Sequence, residues 1–175
     1  MIYPFFSAIL PVLLPGAIPE LSVAEFDAMA QEALSEKAFA RLLSIDDPQA
    51  AEKIPVCAAM RQFRECLNYR IALIRAERLK VSDRFEVPDE LFGEIDFALN
   101  SAVTASPLER EKLIDAALWR KLDDLETGHG MDFEYLCIYR MRLQILEKYC
   151  GRSEEDGRGN FEAALEKLAG KFNEP

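Results

Sequence analysis

The chain has 175 residues, half of them hydrophobic and 30% charged, with a formal net charge of −10. That length and composition exclude a disordered chain and allow one domain, or at most two small ones sharing a core, without disulfide support. An anionic chain of this kind also lacks the clustered cations that a general nucleic-acid partner requires.

The first fifteen residues, MIYPFFSAILPVLLP, carry no charged side chain. Pro4, Pro11 and Pro15 interrupt the apolar run, and no Lys or Arg precedes it, so neither a secretory signal nor a membrane-spanning helix of about 20 residues is expected. The prolines predict an extended segment over residues 2–10, followed by a connector through Gly16 and Pro19. Its apolar side chains are expected to lie against the body of the protein, with a partner as the alternative cover.

Beyond this stretch the pattern is helical. Ser22 followed by Glu25 forms a capping box ahead of a stripe made of Val23, Phe26, Met29 or Ala30, and Ala33 or Leu34. A short helix carrying Phe39, Leu42 and Leu43 follows, and Asp47 before Pro48 marks another brief helical turn. Nothing breaks the helical pattern from Val56 to about Leu79, where Met60, Phe63, Leu67, Ile71 and Ile74 form the apolar seam. Pro88 and Asp89 predict the next start, with Leu91, Phe92, Ile95, Leu99 and Val103 at steps of three and four. Ser106, Pro107 and Glu109 combine cap, first-turn proline and box acid for a helix to about Thr127, stopped at Gly128. Asp132 caps a helix to about Tyr149 whose apolar residues cover most of its circumference, which predicts the central buried helix. The polar run GRSEEDGRGN then leads to a last amphipathic pattern with Phe161, Ala164, Leu165 and Leu168. The expected fold is all-α, one multihelical bundle of about six to seven helices over residues 1–175 with a short extended N-terminal segment.

Charge is unevenly distributed. Residues 56–80 sum to +4, whereas residues 81–135 sum to −9. Arg61, Arg64, Asn68, Arg75 and Arg78 follow one another by three, four, seven and three residues, forming a row about 100° around the helix from the apolar seam. Two readings stand for this row. It is a solvated face, or Arg64 and Asn68 enter a half-buried network with acids of the helix that begins at Pro107, such as Glu109, Asp115 or Asp123.

Sites of chemistry are sparse in the pattern. There is no GxxxxGK[ST] phosphate loop, and the four cysteines, Cys57, Cys66, Cys137 and Cys150, contain no CxxC pair. They read as reduced, buried small hydrophobes of a cytoplasmic protein. His129, the single histidine, stands between two glycines in a turn, so it reads as a turn residue rather than a general base, and neither a metal site nor a cofactor is expected. Asp123 and Asp124 are adjacent and therefore face different ways on a helix. Trp119 with Phe133, Tyr135, Tyr139 and Tyr149 could line a ligand pocket, but aromatics at helical spacing are expected in the core.

Residues 106–149 carry a further signal. Pro107 to Arg110 lead into a helix with Trp119, Leu122 and Asp123, then comes a Glu126 to His129 turn, then a Tyr-rich helix ending in Leu143 to Glu147. This succession resembles a bacterial family usually encoded beside the genes of a V-type ATPase. The stretches YPFFSAILPVL and RECLNYRIALIRAERL resemble it as well, although Leu67 stands where the family often has Arg. That family is similar to the C-type connector of the V-type ATPase, whose eukaryotic counterpart is the d-type connector. The resemblance implies a helical, non-catalytic connector between the central stalk and the membrane rotor ring, or an assembly factor for it, with no nucleic acid and no direct membrane insertion. It would reside in the cytoplasm and meet the membrane through the ATPase complex. A stand-alone helical adaptor is the alternative. Candidate contact or network residues are Arg61, Arg64, Asn68, Arg75, Arg78, Glu109, Trp119, Asp123 and His129.

Overall fold

A computed structural model describes residues 3–80, 92–102 and 105–150, with residues 158, 159, 162, 163 and 165; the side chains of Arg78, Ser101 and Ala102 lie outside that description. The Pro88–Asp89 start, Leu91, Val103, the GRSEEDG run and Phe161, Ala164 and Leu168 also fall outside it.

Among the described residues the chain is all-α, with eight α-helices and no strand: α1 (Tyr3–Ile9), α2 (Val23–Ala33), α3 (Glu36–Leu43), α4 (Pro48–Ala51), α5 (Pro55–Leu79), α6 (Gly93–Ala102), α7 (Pro107–Glu126) and α8 (Phe133–Glu147). The start signals act as expected. Ser22 and Glu25 form a reciprocal capping box on α2, Ser106 and Glu109 form one on α7, and Asp132 accepts from Tyr135 N at the start of α8. Asp47 caps α4 through Gln49 N, with Pro48 in the first turn. Gly128 takes the left-handed conformation that a helix stop favours, at φ +95°.

The N-terminal segment corrects the expectation of an extended segment over residues 2–10. Residues 3–9 are helical because Pro4 sits in the first turn, where its missing N–H has no helical partner to lose, and Pro11 arrives only after the helix has ended. The prolines bracket the helix instead of breaking it. The expected burial of this stretch also holds only in part. Phe6 is buried 5.7 Å from the ring of Phe26, and Tyr3 meets Phe133 edge-on at 6.0 Å. Phe5, Ile9, Val12, Leu14 and Ile18, in contrast, face solvent.

The core forms around α8, as its all-round apolar pattern predicts. Leu136, Cys137, Ile138, Leu143, Ile145 and Leu146 are buried there. Around them pack Phe26 and Ala30 of α2, Met60, Phe63 and Leu67 of α5, Ile95 and Leu99 of α6, and Leu118, Trp119 and Leu122 of α7. Full burial of a side chain of this size stabilises by about 1.5–3 kcal/mol, so helices α2, α5 and α7 are held to α8 chiefly by these residues. Three cysteines are buried as expected, but Cys150 is exposed, because α8 ends at Glu147 and its buried face ends with it.

Candidate functional site

The nine candidate residues do not assemble into one network. On α5, Arg61 pairs with Glu52 at 2.6 Å and with Glu65 at 3.6 Å. Arg64, Asn68 and Arg75 are exposed, and Arg64 and Arg75 have no ion-pair partner among the described residues. Arg78 belongs to the same helix, but its side chain is outside the description. Although Arg64 is exposed as a residue, crowding around its guanidinium lowers its pKa by desolvation, and Cys57 and Asp115 act on it in the opposite direction.

The acids offered as partners for this row are engaged elsewhere. Glu109 caps its own helix, and the hydrogen bonds from Ser106, first from the backbone N–H and then from the hydroxyl, hold its carboxyl below the ordinary range. Asp115 is buried and accepts from Lys148 Nζ and from the Tyr149 hydroxyl, tying α7 to the end of α8. Asp123 and Glu126 both accept from Arg142 Nη2. The physical reason is proximity. α7 turns its acids toward α8, its antiparallel neighbour across a short turn, so α8 supplies the cations and α5 does not.

Two arginines that the helical pattern alone does not single out hold this centre together. Arg140 is only 4% exposed, and its guanidinium reaches Asp27 through Nε (2.8 Å) and Nη2 (2.9 Å) and Asp46 through Nη1 (2.8 Å). Gln144 completes the group by donating to the other oxygen of Asp46 at 2.7 Å. One buried cation therefore fixes α2 and the turn after α3 against α8. Arg142 has its guanidinium carbon 5.4 Å from the centre of the Trp119 ring and pairs through Nη2 with the carboxylates of Asp123 and Glu126. A signal for both is present in the sequence: a helix apolar around most of its circumference must bury whatever charges it carries, and buried charges require partners.

Trp119 lines two cavities, each bordered by part of the N-terminal connector. The larger, about 480 Å³, is bounded by Pro15, Gly16, Leu108, Lys112, Trp119 and Tyr149. The smaller, about 320 Å³, lies beneath residues 10–13 beside Tyr135, Tyr139 and Arg142. Its aromatic and acidic walls would suit an ammonium ligand, but the chain's own Arg142 already occupies that role. The connector is fastened over it by Tyr139, whose hydroxyl donates to Pro11 O at 2.9 Å.

His129 occupies the turn between α7 and α8, half-buried, with Nδ1 2.8 Å from Asp132 Oδ2. Asp132 has its carboxyl pKa lowered: burial opposes this, but the hydrogen bonds from His129 and Tyr135 N prevail. Ligand atoms of His129, Asp132 and Glu134 lie within 4.8 Å of one another. That spacing could admit a metal ion, yet both Asp132 oxygens already accept hydrogen bonds and the Arg41 guanidinium stands 3.9 Å from Glu134. A divalent cation would have to compete with these partners.

Comparison with known proteins gave no match of any kind: no family model, no curated protein and no solved structure resembles the chain at a significant level. Among the described residues, no helix is long and apolar enough to cross a membrane.

Proposed function

We propose that this chain is a non-catalytic helical component or assembly factor of a bacterial V-type ATPase, resembling its C-type connector and working by surface contact and rigidity between the central stalk and the membrane rotor ring. In this reading it is cytoplasmic and meets the membrane only through the complex. The observation that carries the docking role is the row of cations that α5 presents to solvent through Arg64 and Arg75, on a protein whose net charge is −10. Such a row steers the molecule toward an acidic partner surface in one orientation, and it repels cationic ones. The Gly128 to Asp132 corner is the second contact element. The assignment to the ATPase is supported by the likeness of residues 106–149 to the family described above. Those residues make up α7, the turn and α8, the stiff hairpin on which the other helices pack.

The test is affinity purification of the tagged chain from cells in which the ATPase assembles. Stalk and ring proteins should co-purify in stoichiometric amounts, and Arg64→Glu with Arg75→Glu should abolish their recovery while leaving the helical content unchanged. A lysate with intact ATPase and no association would reject the ATPase assignment. Retained association in the double variant would reject the α5 row as the contact.

A further inference from the structure

We propose that the 480 Å³ cavity beside Trp119 is a binding site for a small aliphatic carboxylic acid, whose hydrocarbon body lies against the apolar wall and whose carboxylate pairs with Lys112. The cavity follows from the spacing of α7. Leu108, Lys112, Asp115, Ala116 and Trp119 succeed one another by four, three, one and three residues, which puts them on one side of the helix, and all five line the same space. Ile145 and Leu146 of α8 add to its apolar wall.

One edge of the cavity is a fixed turn. Ala17 N donates to Leu14 O at 3.2 Å across Pro15 and Gly16, and Gly16 has φ +77°. Proline at the first central position and a glycine of positive φ at the second define a type II turn, whose shape is set by the chain itself. Pro15 and Gly16 therefore stand in place before a ligand arrives. The volume lies in the lower half of the roughly 300–1,000 Å³ found for small-molecule sites, and the lining matches theirs in being largely apolar with a few polar groups.

The polar groups decide the class of ligand. Asp115 already accepts from Lys148 Nζ and from the Tyr149 hydroxyl, so its charge is answered within the chain. Lys112 is exposed and forms no salt bridge among the described residues; Glu109, one turn earlier, feels its charge but is held by Ser106 in the capping box of α7. A carboxylate that enters the cavity thus meets a cation without a salt-bridge partner, whereas an ammonium group meets only an acid that is already engaged. The 320 Å³ cavity is the contrast, because there the chain's own Arg142 takes the cation's place. Leu108, Ala116, Ile145 and Leu146 supply the surface for an aliphatic body. The inference goes beyond the proposed function and does not rest on it.

Trp119 is the single tryptophan of the chain, so its fluorescence reports on this part of the molecule without background. The test is titration of the purified full chain with octanoate, followed by Trp119 emission and by calorimetry. Octanoate should bind saturably at one site with a sub-millimolar dissociation constant, and octanol and octylamine should each bind about tenfold more weakly or worse, the scale of one charge-assisted hydrogen bond. Lys112→Gln should weaken octanoate by about tenfold and leave octanol unchanged. Leu108→Glu, which sets a like charge on the wall, should abolish octanoate binding, while Leu79→Asp on α5 should bind as the wild type does. Positions 108 and 112 are both exposed, so these variants keep the core intact. Absence of saturable binding, octanol or octylamine binding as tightly as octanoate, or full affinity in Lys112→Gln would each overturn the proposal.

Discussion

The arginines of α8 and those of α5 have the same charge and opposite circumstances. Arg140 and Arg142 are buried and paired with carboxylates from three other segments of the chain, whereas Arg64 and Arg75 are exposed residues with no ion pair among the described residues. The difference arises from what surrounds each helix. α8 is enclosed on all sides, so any charge on it must be satisfied internally or the helix could not be central. α5 is amphipathic, and its polar side can leave cations free for another molecule. The same residue type therefore acts as a structural clamp in one place and as contact surface in the other.

The sharpest way to break this contrast is to remove a carboxylate from the buried clamp. Asp27→Ala takes away two of the three arginine hydrogen bonds and leaves Arg140 buried with a single partner, Asp46, that is itself half-exposed. We expect a loss of about 3 kcal/mol, since breaking one side of a buried pair strands a charge. Chemical denaturation should show it as a lower midpoint with unchanged slope. Replacing Arg140 by Met, which fills similar space without charge, should cost less than Asp27→Ala; the reverse order would show that burial rather than pairing dominates the site.

Tyr139 gives a smaller effect with a characteristic pH dependence. Its hydroxyl is buried, and desolvation first, with Tyr135 and Glu20 adding to it, pushes its pKa up to about 12. An unfolded tyrosine ionises near pH 10, so between about pH 10 and 12 the unfolded chain releases a proton that the folded chain retains. Stability carried by the neutral group is thus complete below pH 10 and declines as pH rises toward 12. Tyr139→Phe should remove this part of the alkaline decline. It should also lower neutral-pH stability by about 1 kcal/mol through loss of the hydrogen bond to Pro11 O, seen as a lower melting temperature.

Asp132 provides the mirror case at acid pH. Its folded pKa is depressed, so its contribution is present above the unfolded value near 4 and is lost as pH falls through the folded one. Asp132→Ala should cost about 1 kcal/mol at neutral pH, the usual scale for an N-cap, and the variant should then match the wild type more closely in acid. A gap that stays constant from neutral to strongly acid conditions would mean that the carboxylate does not cap α8.

How much of this is legible in the sequence follows from the range of the interactions involved. The caps at Ser22, Asp47, Ser106 and Asp132 depend on partners within three residues, and each forms the hydrogen bond that its spacing suggests. The burial of α8 is legible for a similar reason, since its apolar residues leave no free face. The pairing of Arg140 with Asp27 and Asp46 spans 113 and 94 positions, and no local pattern encodes which acid will arrive there. For the same reason the Arg64 row could not be matched to particular acids of α7: Asp115 acts on Arg64 through its charge, but the hydrogen bonds of Asp115 and Asp123 go to Lys148, Tyr149 and Arg142. The N-terminal helix escapes any reading that treats proline as a breaker without regard to its position in the first turn.

The exposed row is where the contrast predicts the least effect on folding and the most on association. Arg64→Ala with Arg75→Ala removes two exposed residues that form no ion pair within the described chain, so denaturation midpoints should shift by no more than about 0.5 kcal/mol. Binding to the acidic partner should nevertheless weaken, and its salt dependence should flatten, because contacts between opposite charges at a rim act mainly on the rate of encounter. If the double substitution instead destabilised the fold as much as Asp27→Ala, the row would be a second clamp, and the division between the arginines that hold the bundle and those that present it to a partner would collapse.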